Sequence, residues 1–264
     1  MVTEKLQKIL SQRGIASRRG AEAMILAGRV MLNGSVAFLG QRADPWRDEI
    51  RVDGALLRSE DSPQRVYLLV HKPAGFVSTC RDPQKRKTVL DLLPVSLQEG
   101  QGIHPVGRLD TDSTGALLLT NDGELTFQLT HPRHEIAKTY EVWVMGHPSA
   151  SELQAWRQGV MLDGRRTLPA QVRVLCQSDD QTCLEIMLKE GRNRQIRRVA
   201  EQLGHPVKRL HRVAIGSIRL ERLRRGQYRF LTPDEIAQLK MPWEPRCQKL
   251  TLTLPAQATK ERDL

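Results

Sequence analysis

Residues 107–120 read GRLDTDSTGALLLT, a polar, glycine-punctuated segment that runs directly into an apolar one. Ala116, Leu117, Leu118 and Leu119 form a short greasy run, and Asn121-Asp122-Gly123 follows as a turn signal, so the second half reads as a buried strand. The first half is then the loop that enters it. That loop carries two acids, Asp110 and Asp112, close to Arg108. Working outward, "VYLLVHKPAG" (66–75) is a second buried strand, stopped by Pro73 and Gly75. "IAKTYEVWVMG" (136–146) alternates, with Ile136, Lys138, Tyr140, Val142 and Val144 on one side. Residues 172–176 and 183–188 pair as a hairpin around "QSDDQT". "RQIRRVAEQLGHP" reads as a helix with its stripe at Ile196, Val199, Ala200 and Leu203. "VKRLHRVAIGSIRL" returns to strand, and "TPDEIAQL" opens a last helix with a capping box at Thr232 and Glu235. The pattern predicts an α+β domain over residues 66–240, built on a mostly antiparallel sheet with flanking helices.

The N-terminal part is different. "EKLQKILSQRG" and "RRGAEAMILAG" read as two short helices, the second capped by Ser17, and turns at Asn33-Gly34 and Asp53-Gly54 announce two hairpins. This predicts a small α/β module over residues 1–60, with 61–65 as a polar linker and 241–264, where periodicity is lost, as a disordered tail.

The chain has 264 residues, of which 39% are hydrophobic and 27% charged, a globular balance. No apolar run approaches the roughly 20 residues that span a bilayer, and no signal-like N-terminus is present, so a cytoplasmic protein without membrane attachment is expected. Formal net charge is +11. The excess is concentrated: residues 186–232 hold 13 Lys and Arg against 3 Asp and Glu, which points to a polyanionic partner such as nucleic acid. Cys80, Cys176, Cys183 and Cys247 have neither zinc spacing nor a C-x-x-C pair and are expected to be free thiols. His131 and His134 have a spacing that suits a metal, but no third ligand is near.

From spacing alone Asp110 has three readings: a turn residue accepting backbone N–H groups, a metal ligand with Asp112, or a catalytic carboxylate. The motifs "HKPAGFVST", "GRLDTDSTGALLLTNDG", "KTYEV" and "EGRNRQIRR", in that order, resemble those of the ribosomal RNA pseudouridine synthases. "KLQKILSQRGIASRRGAEAMILAGRVMLNG" resembles the RNA-binding module named after a small-subunit ribosomal protein, which precedes the catalytic domain in that family. The overall pattern is closer to the large-subunit enzymes. The resemblance implies conversion of uridine to pseudouridine in ribosomal RNA, free or in an assembly intermediate, by a monomer that uses no cofactor and no metal. It also implies the roles of three residues: Asp110 as catalytic aspartate, Tyr140 as active-site tyrosine, and Arg197 as the arginine that pairs with Asp110.

The chemistry accounts for these residue types. Cleaving a glycosidic bond needs a group that stabilises or traps an electron-poor sugar carbon, or that adds to the ring, and an ionised carboxylate does either. A guanidinium keeps such a carboxylate charged in a dry site. A phenol stacks on uracil near C5, where a proton must leave. The uridine has to be flipped out of its helix, at a cost of about a few kcal/mol, which backbone contacts offset. Candidates for those contacts are Arg192, Arg194, Arg198, Lys208, Arg209 and Arg212 in the basic window, with Lys5, Arg18, Arg19 and Arg29 in the module. Arg108 either fills the space of the flipped base or contacts a phosphate. Lys72 is either a phosphate contact or an ordinary surface lysine. Two rival functions are a non-catalytic rRNA-binding assembly factor on the same fold and a metal-dependent nuclease. The trio Asp110, Tyr140 and Arg197 argues against the first, and the lack of clustered acids against the second.

Overall fold

The computed structural model describes residues 3–58 and 63–241. Part of the expected linker and nearly all of the expected tail therefore lie outside the described residues.

The N-terminal segment is β1 (Glu4–Lys5), α1 (Leu6–Gln12), α2 (Arg18–Leu26), β2 (Val30–Leu32), β3 (Ser35–Val36), β4 (Arg42–Ala43), β5 (Ile50–Val52) and β6 (Ala55–Leu56). Ser17 caps α2 by accepting from the Gly20 N–H. The two expected hairpins form, β2 with β3 and β5 with β6. Both turn residue pairs have positive φ, Asn33-Gly34 and Asp53-Gly54 alike, as a tight two-residue turn demands. Leu6, Ile9, Leu10, Ile25, Val30 and Ile50 give this segment its own core.

The remaining elements are β7 (Tyr67–Lys72), α3 (Val95–Gln98), β8 (His104–Pro105), β9 (Thr114–Thr120), α4 (Gly123–Thr130), β10 (Lys138–Met145), α5 (Ala150–Gln158), β11 (Met161–Leu162), β12 (Arg165–Arg166), β13 (Gln171–Ser178), β14 (Gln181–Leu188), α6 (Gln195–Gln202), β15 (Val207–Ile215), β16 (Ile218–Arg219), β17 (Tyr228–Phe230) and α7 (Pro233–Lys240). Nine strands make one sheet, in the order β13-β14-β10-β15-β9-β7-β17, with β16 beside β15 and β8 beside β9. All of its pairings are antiparallel except β9 with β15. The α+β expectation holds. Val142, Val144, Leu184 and Ile186 pack with α5 and α6 over one half of the sheet, and Leu69, Leu118, Ile215 and Ile218 pack with α4 and α7 over the other.

Three local readings change. Asn121-Asp122-Gly123 is not merely a turn: Asp122 caps α4, accepting from the Glu124 and Leu125 N–H groups. The helix escaped notice because its apolar stripe is only Leu125 and Leu129. Helix α5 also went unread, although Ser149 and Glu152 form a capping box. Strand β10 begins at Lys138, so Ile136 is buried outside it.

The one parallel junction sets a steric limit. Gly115 sits at φ +114° where β9 meets β15, and a Cβ there would lie 2.2 Å from the Arg212 carbonyl oxygen and 2.6 Å from its nitrogen. Backbone cannot retreat from such a contact without separating the strands. Gly115→Ala is expected to cost at least about 2 kcal/mol and to lower Tm by about 4–8 °C; a thermal melt checks this, and an unchanged Tm would show that the junction adapts.

Candidate active site

The loop at residues 108–113 is held almost entirely by its backbone. Lys72, at the end of β7, is 0% exposed. Its ammonium donates to the carbonyls of Ser113 (2.8 Å), Asp110 (2.9 Å), Pro73 (3.1 Å) and, more weakly, Thr111 (3.4 Å). The Gly75 N–H donates to the Thr111 carbonyl at 2.8 Å. Ser78 grips Leu109 from both sides, donating its hydroxyl to the carbonyl and accepting the N–H. Arg212 is 3% exposed; it donates Nε to the Ala116 carbonyl at 2.7 Å and Nη1 to that of Arg108 at 3.5 Å. Leu109 is buried among Leu68, Val70, Val89 and Leu117. With backbone and Leu109 fixed, Arg108, Asp110 and Asp112 point outward.

Above the loop is a cavity of about 110 Å³, and Arg108, Asp110, Tyr140, Arg194 and Arg197 all line it. The three residues expected to be catalytic thus meet at one place. The Asp110 side chain is 32% exposed, so the carboxylate is reachable from solution. Tyr140 lies on β10 where the pairing with β15 slips by one residue, between Thr139 and Tyr140; such a bulge re-aims a side chain. No described residue hydrogen-bonds its hydroxyl.

The expected pairing of Arg197 with Asp110 is corrected. Asp110 instead faces Arg194, whose two Nη atoms lie 3.4 Å from Asp110 Oδ2 and 3.4 Å from Asp112 Oδ2. Arg197 turns to Asp112 at 3.1 Å and to the Ser113 hydroxyl at 3.3 Å. The physical reason is reach. Arg194 is the cap residue of α6 and has left-handed backbone (φ +48°), which throws its side chain across the cavity mouth. Arg197 lies one turn into the helix, beside buried Ile196, and its Nε is buried without a partner. A non-glycine residue in this conformation costs about 1–3 kcal/mol, a strain typical of functional sites.

Several expected RNA contacts are internal struts, and these too are corrections. Lys72 is neither a phosphate contact nor a surface lysine, since burial and the four carbonyls occupy it fully. Arg212 is sealed beneath the loop. Arg192 donates to the carbonyls of Leu162, Arg165 and Arg166 and to Glu190, tying down the β11–β12 hairpin. Arg198 is paired with Asp163 through both Nη atoms, and Arg29 with Asp53 through Nε and Nη2. Arg209 lies over the Trp143 ring at 5.4 Å. Lys5, Arg18, Arg19, Arg108 and Lys208 are exposed and form no ion pair among the described residues. Sequence reasoning missed Arg194 as the partner of Asp110, along with Ser78, Ser113 and Asp112; the "DTDS" run was the available signal. No group of three or more metal-ligating side chains occurs among the described residues. Cys80, Cys176 and Cys183 are free thiols, and Cys247 lies outside the described residues. No described helix is long and apolar enough to cross a membrane.

Burial lowers the Lys72 pKa from 10.5 to about 8, against the pull of Asp112 and Asp110 and with help from Arg212. Between these values the unfolded chain holds a proton that the folded chain has lost, so this group alone makes stability rise with pH across that window. The clamp, however, loses a donor above about pH 8. Turnover is therefore expected to fall as pH rises through about 8. Lys72→Met is expected to cost about 2–3 kcal/mol by stranding carbonyls, and to lower turnover more than about tenfold. Wild-type melting and turnover in that variant would show that the loop does not need the ammonium.

Comparison with known proteins agrees with this geometry. Residues 66–202 match the RNA pseudouridylate synthase family and residues 4–44 the S4 domain. An uncharacterised RNA pseudouridine synthase of Mycobacterium tuberculosis is 42% identical over 89% of this chain and 92% of its own length. Ribosomal large subunit pseudouridine synthase B of Bacillus subtilis is 39% identical over 90% of this chain and 96% of its own. A crystal structure of a pseudouridylate synthase superposes with TM-score 0.65 at 32% identity, covering 89% of this chain and 99% of that one. The chain belongs to the RNA pseudouridylate synthase family, with an S4 domain ahead of its catalytic fold.

Proposed function

We propose that this enzyme isomerises one uridine of large-subunit ribosomal RNA to pseudouridine, with Asp110 as nucleophile. The observation that carries the reading is a single accessible carboxylate, on a backbone-pinned loop, flanked by Arg194 and facing the unengaged hydroxyl of Tyr140 across one cavity. The similarity to the Bacillus subtilis enzyme supports the large-subunit target.

In this reading the target uridine swings out of its helix into the cavity, and Arg108 at the rim occupies the space it leaves or holds the flanking phosphate. The Asp110 carboxylate attacks either C1′ of the ribose or C6 of the ring. The N1–C1′ bond breaks, the base turns, and C5 bonds to C1′. The C5 proton then leaves, with the Tyr140 hydroxyl accepting or relaying it. No atom is gained or lost overall, and no electron is transferred. Arg194 keeps Asp110 ionised. Arg197 fixes Ser113 and Asp112, and with them the end of the loop. Lys5, Arg18 and Arg19 give the S4 domain its grip on folded RNA, largely through charge and shape. The reading takes the protein as a cytoplasmic monomer acting on ribosomal RNA or on an assembly intermediate.

Asp110→Asn is expected to bind ribosomal RNA with near wild-type affinity in a filter assay and to form no pseudouridine when the RNA is mapped; a normal yield would remove Asp110 from the mechanism. Tyr140→Phe is expected to slow product formation by about a hundredfold or more. A rate close to that of the parent would make the hydroxyl dispensable. Mapping pseudouridines in ribosomal RNA from cells with and without the protein identifies the site.

A further inference from the structure

Three aromatic rings gather on the surface beside the cavity, and the mechanism uses none of them. Phe127 projects from α4, with the His131 ring 4.8 Å and the His134 ring 5.8 Å from its own, centroid to centroid. The two histidines are 6.1 Å apart. Core packing does not explain Phe127, which is 52% exposed while Leu125 and Leu129 of the same helix are buried. His131 is tethered rather than free, accepting the Arg133 N–H at 3.3 Å.

The cluster adjoins the active site on two sides. Thr130, one turn from Phe127 on the same helix face, has its methyl 3.6 Å from where a Cβ on Gly107 would lie, and Arg108 of the cavity wall comes next. Glu135, just past His134, pairs with Lys189 at 3.3 Å, and the neighbours of Lys189 in sequence, Leu188 and Glu190, also line the cavity. Arg133 is exposed beside the rings.

We infer that Phe127, with His131 and His134 behind it, is a stacking platform for an unpaired base of the RNA strand next to the flipped uridine. This rests on the RNA-modifying reading above and extends it. Extruding a base strips its neighbours of a stacking face, and an aromatic surface at the cavity rim replaces that face without reading sequence. Arg108 and Arg133 supply charge for the phosphates on either side. The platform positions the strand; it does not touch the reacting atoms.

The test is steady-state kinetics with large-subunit ribosomal RNA transcribed with [5-³H]uridine, following tritium release, alongside filter binding of the same RNA. Phe127→Ala is expected to raise KM and weaken binding roughly five- to a hundredfold, the worth of one base–aromatic stack. Its kcat should stay within about twofold, and its melting temperature should be unchanged because the ring is half in water. Phe127→Tyr, which keeps an aromatic face, should restore KM, and His131→Ala with His134→Ala should reproduce part of the loss. A KM and affinity for Phe127→Ala within about twofold of the parent would overturn the inference, as would failure of Phe127→Tyr to rescue. If the parent releases no tritium from this RNA, the large-subunit target is wrong. The platform is then judged by binding alone, where loss in Phe127→Ala with rescue by Phe127→Tyr upholds it and equal affinities reject it.

Discussion

One buried ammonium organises the centre of this protein. Lys72 has lost its water, and only the carbonyls of the loop at residues 108–113 and of Pro73 replace it. An unpaired charge there would be very costly, so the carbonyls have to converge on it. That convergence fixes the backbone of Asp110 and Ser113 and leaves the side chains between them nowhere to go but outward. Ser78 and Gly75 tighten the same loop from the neighbouring turn. The carboxylate is thus placed by main-chain chemistry, and its own oxygens remain available to Arg194 and to a nucleoside.

The sheet supplies what local structure could not. Asp110, Tyr140 and the arginines of α6 are far apart in sequence and share a cavity because β15 runs between β10 and β9. Its antiparallel edge presents Tyr140 through a bulge, and its parallel edge meets β9 at a glycine that lets the backbones touch. The loop bearing Asp110 enters β9 at that contact, so the strand junction and the active site are one piece of architecture.

Charge divides into two populations that composition cannot separate. The basic window of residues 186–232 pointed to a polyanion. Yet Arg192, Arg198 and Arg212 spend their donors on the protein's own carbonyls and carboxylates. The exposed and unpaired cations, Arg108 and Lys208 among them, are fewer and stand around the cavity and on the S4 domain. Phosphate binding is left to side chains that folding does not use.

The sequence by itself determined much of this protein: the strands entered by "VYLLV" and "ALLL", the Asn-Gly and Asp-Gly turns, the capping box of α7, and the ordered motifs whose resemblance named the family. These are legible because hydrophobic period, turn conformation and capping are local properties, settled by residues within a few positions of each other. Helix α4 was lost for the same reason, since two apolar residues make too faint a stripe. Tertiary structure alone decided which cations are struts and which are free, and that Arg194 rather than Arg197 faces Asp110. Those outcomes turn on burial and on the direction in which a left-handed cap residue throws its side chain, and neither has a signature in spacing. A lysine reads the same in sequence whether water or four carbonyls surround it; only the packed fold distinguishes them.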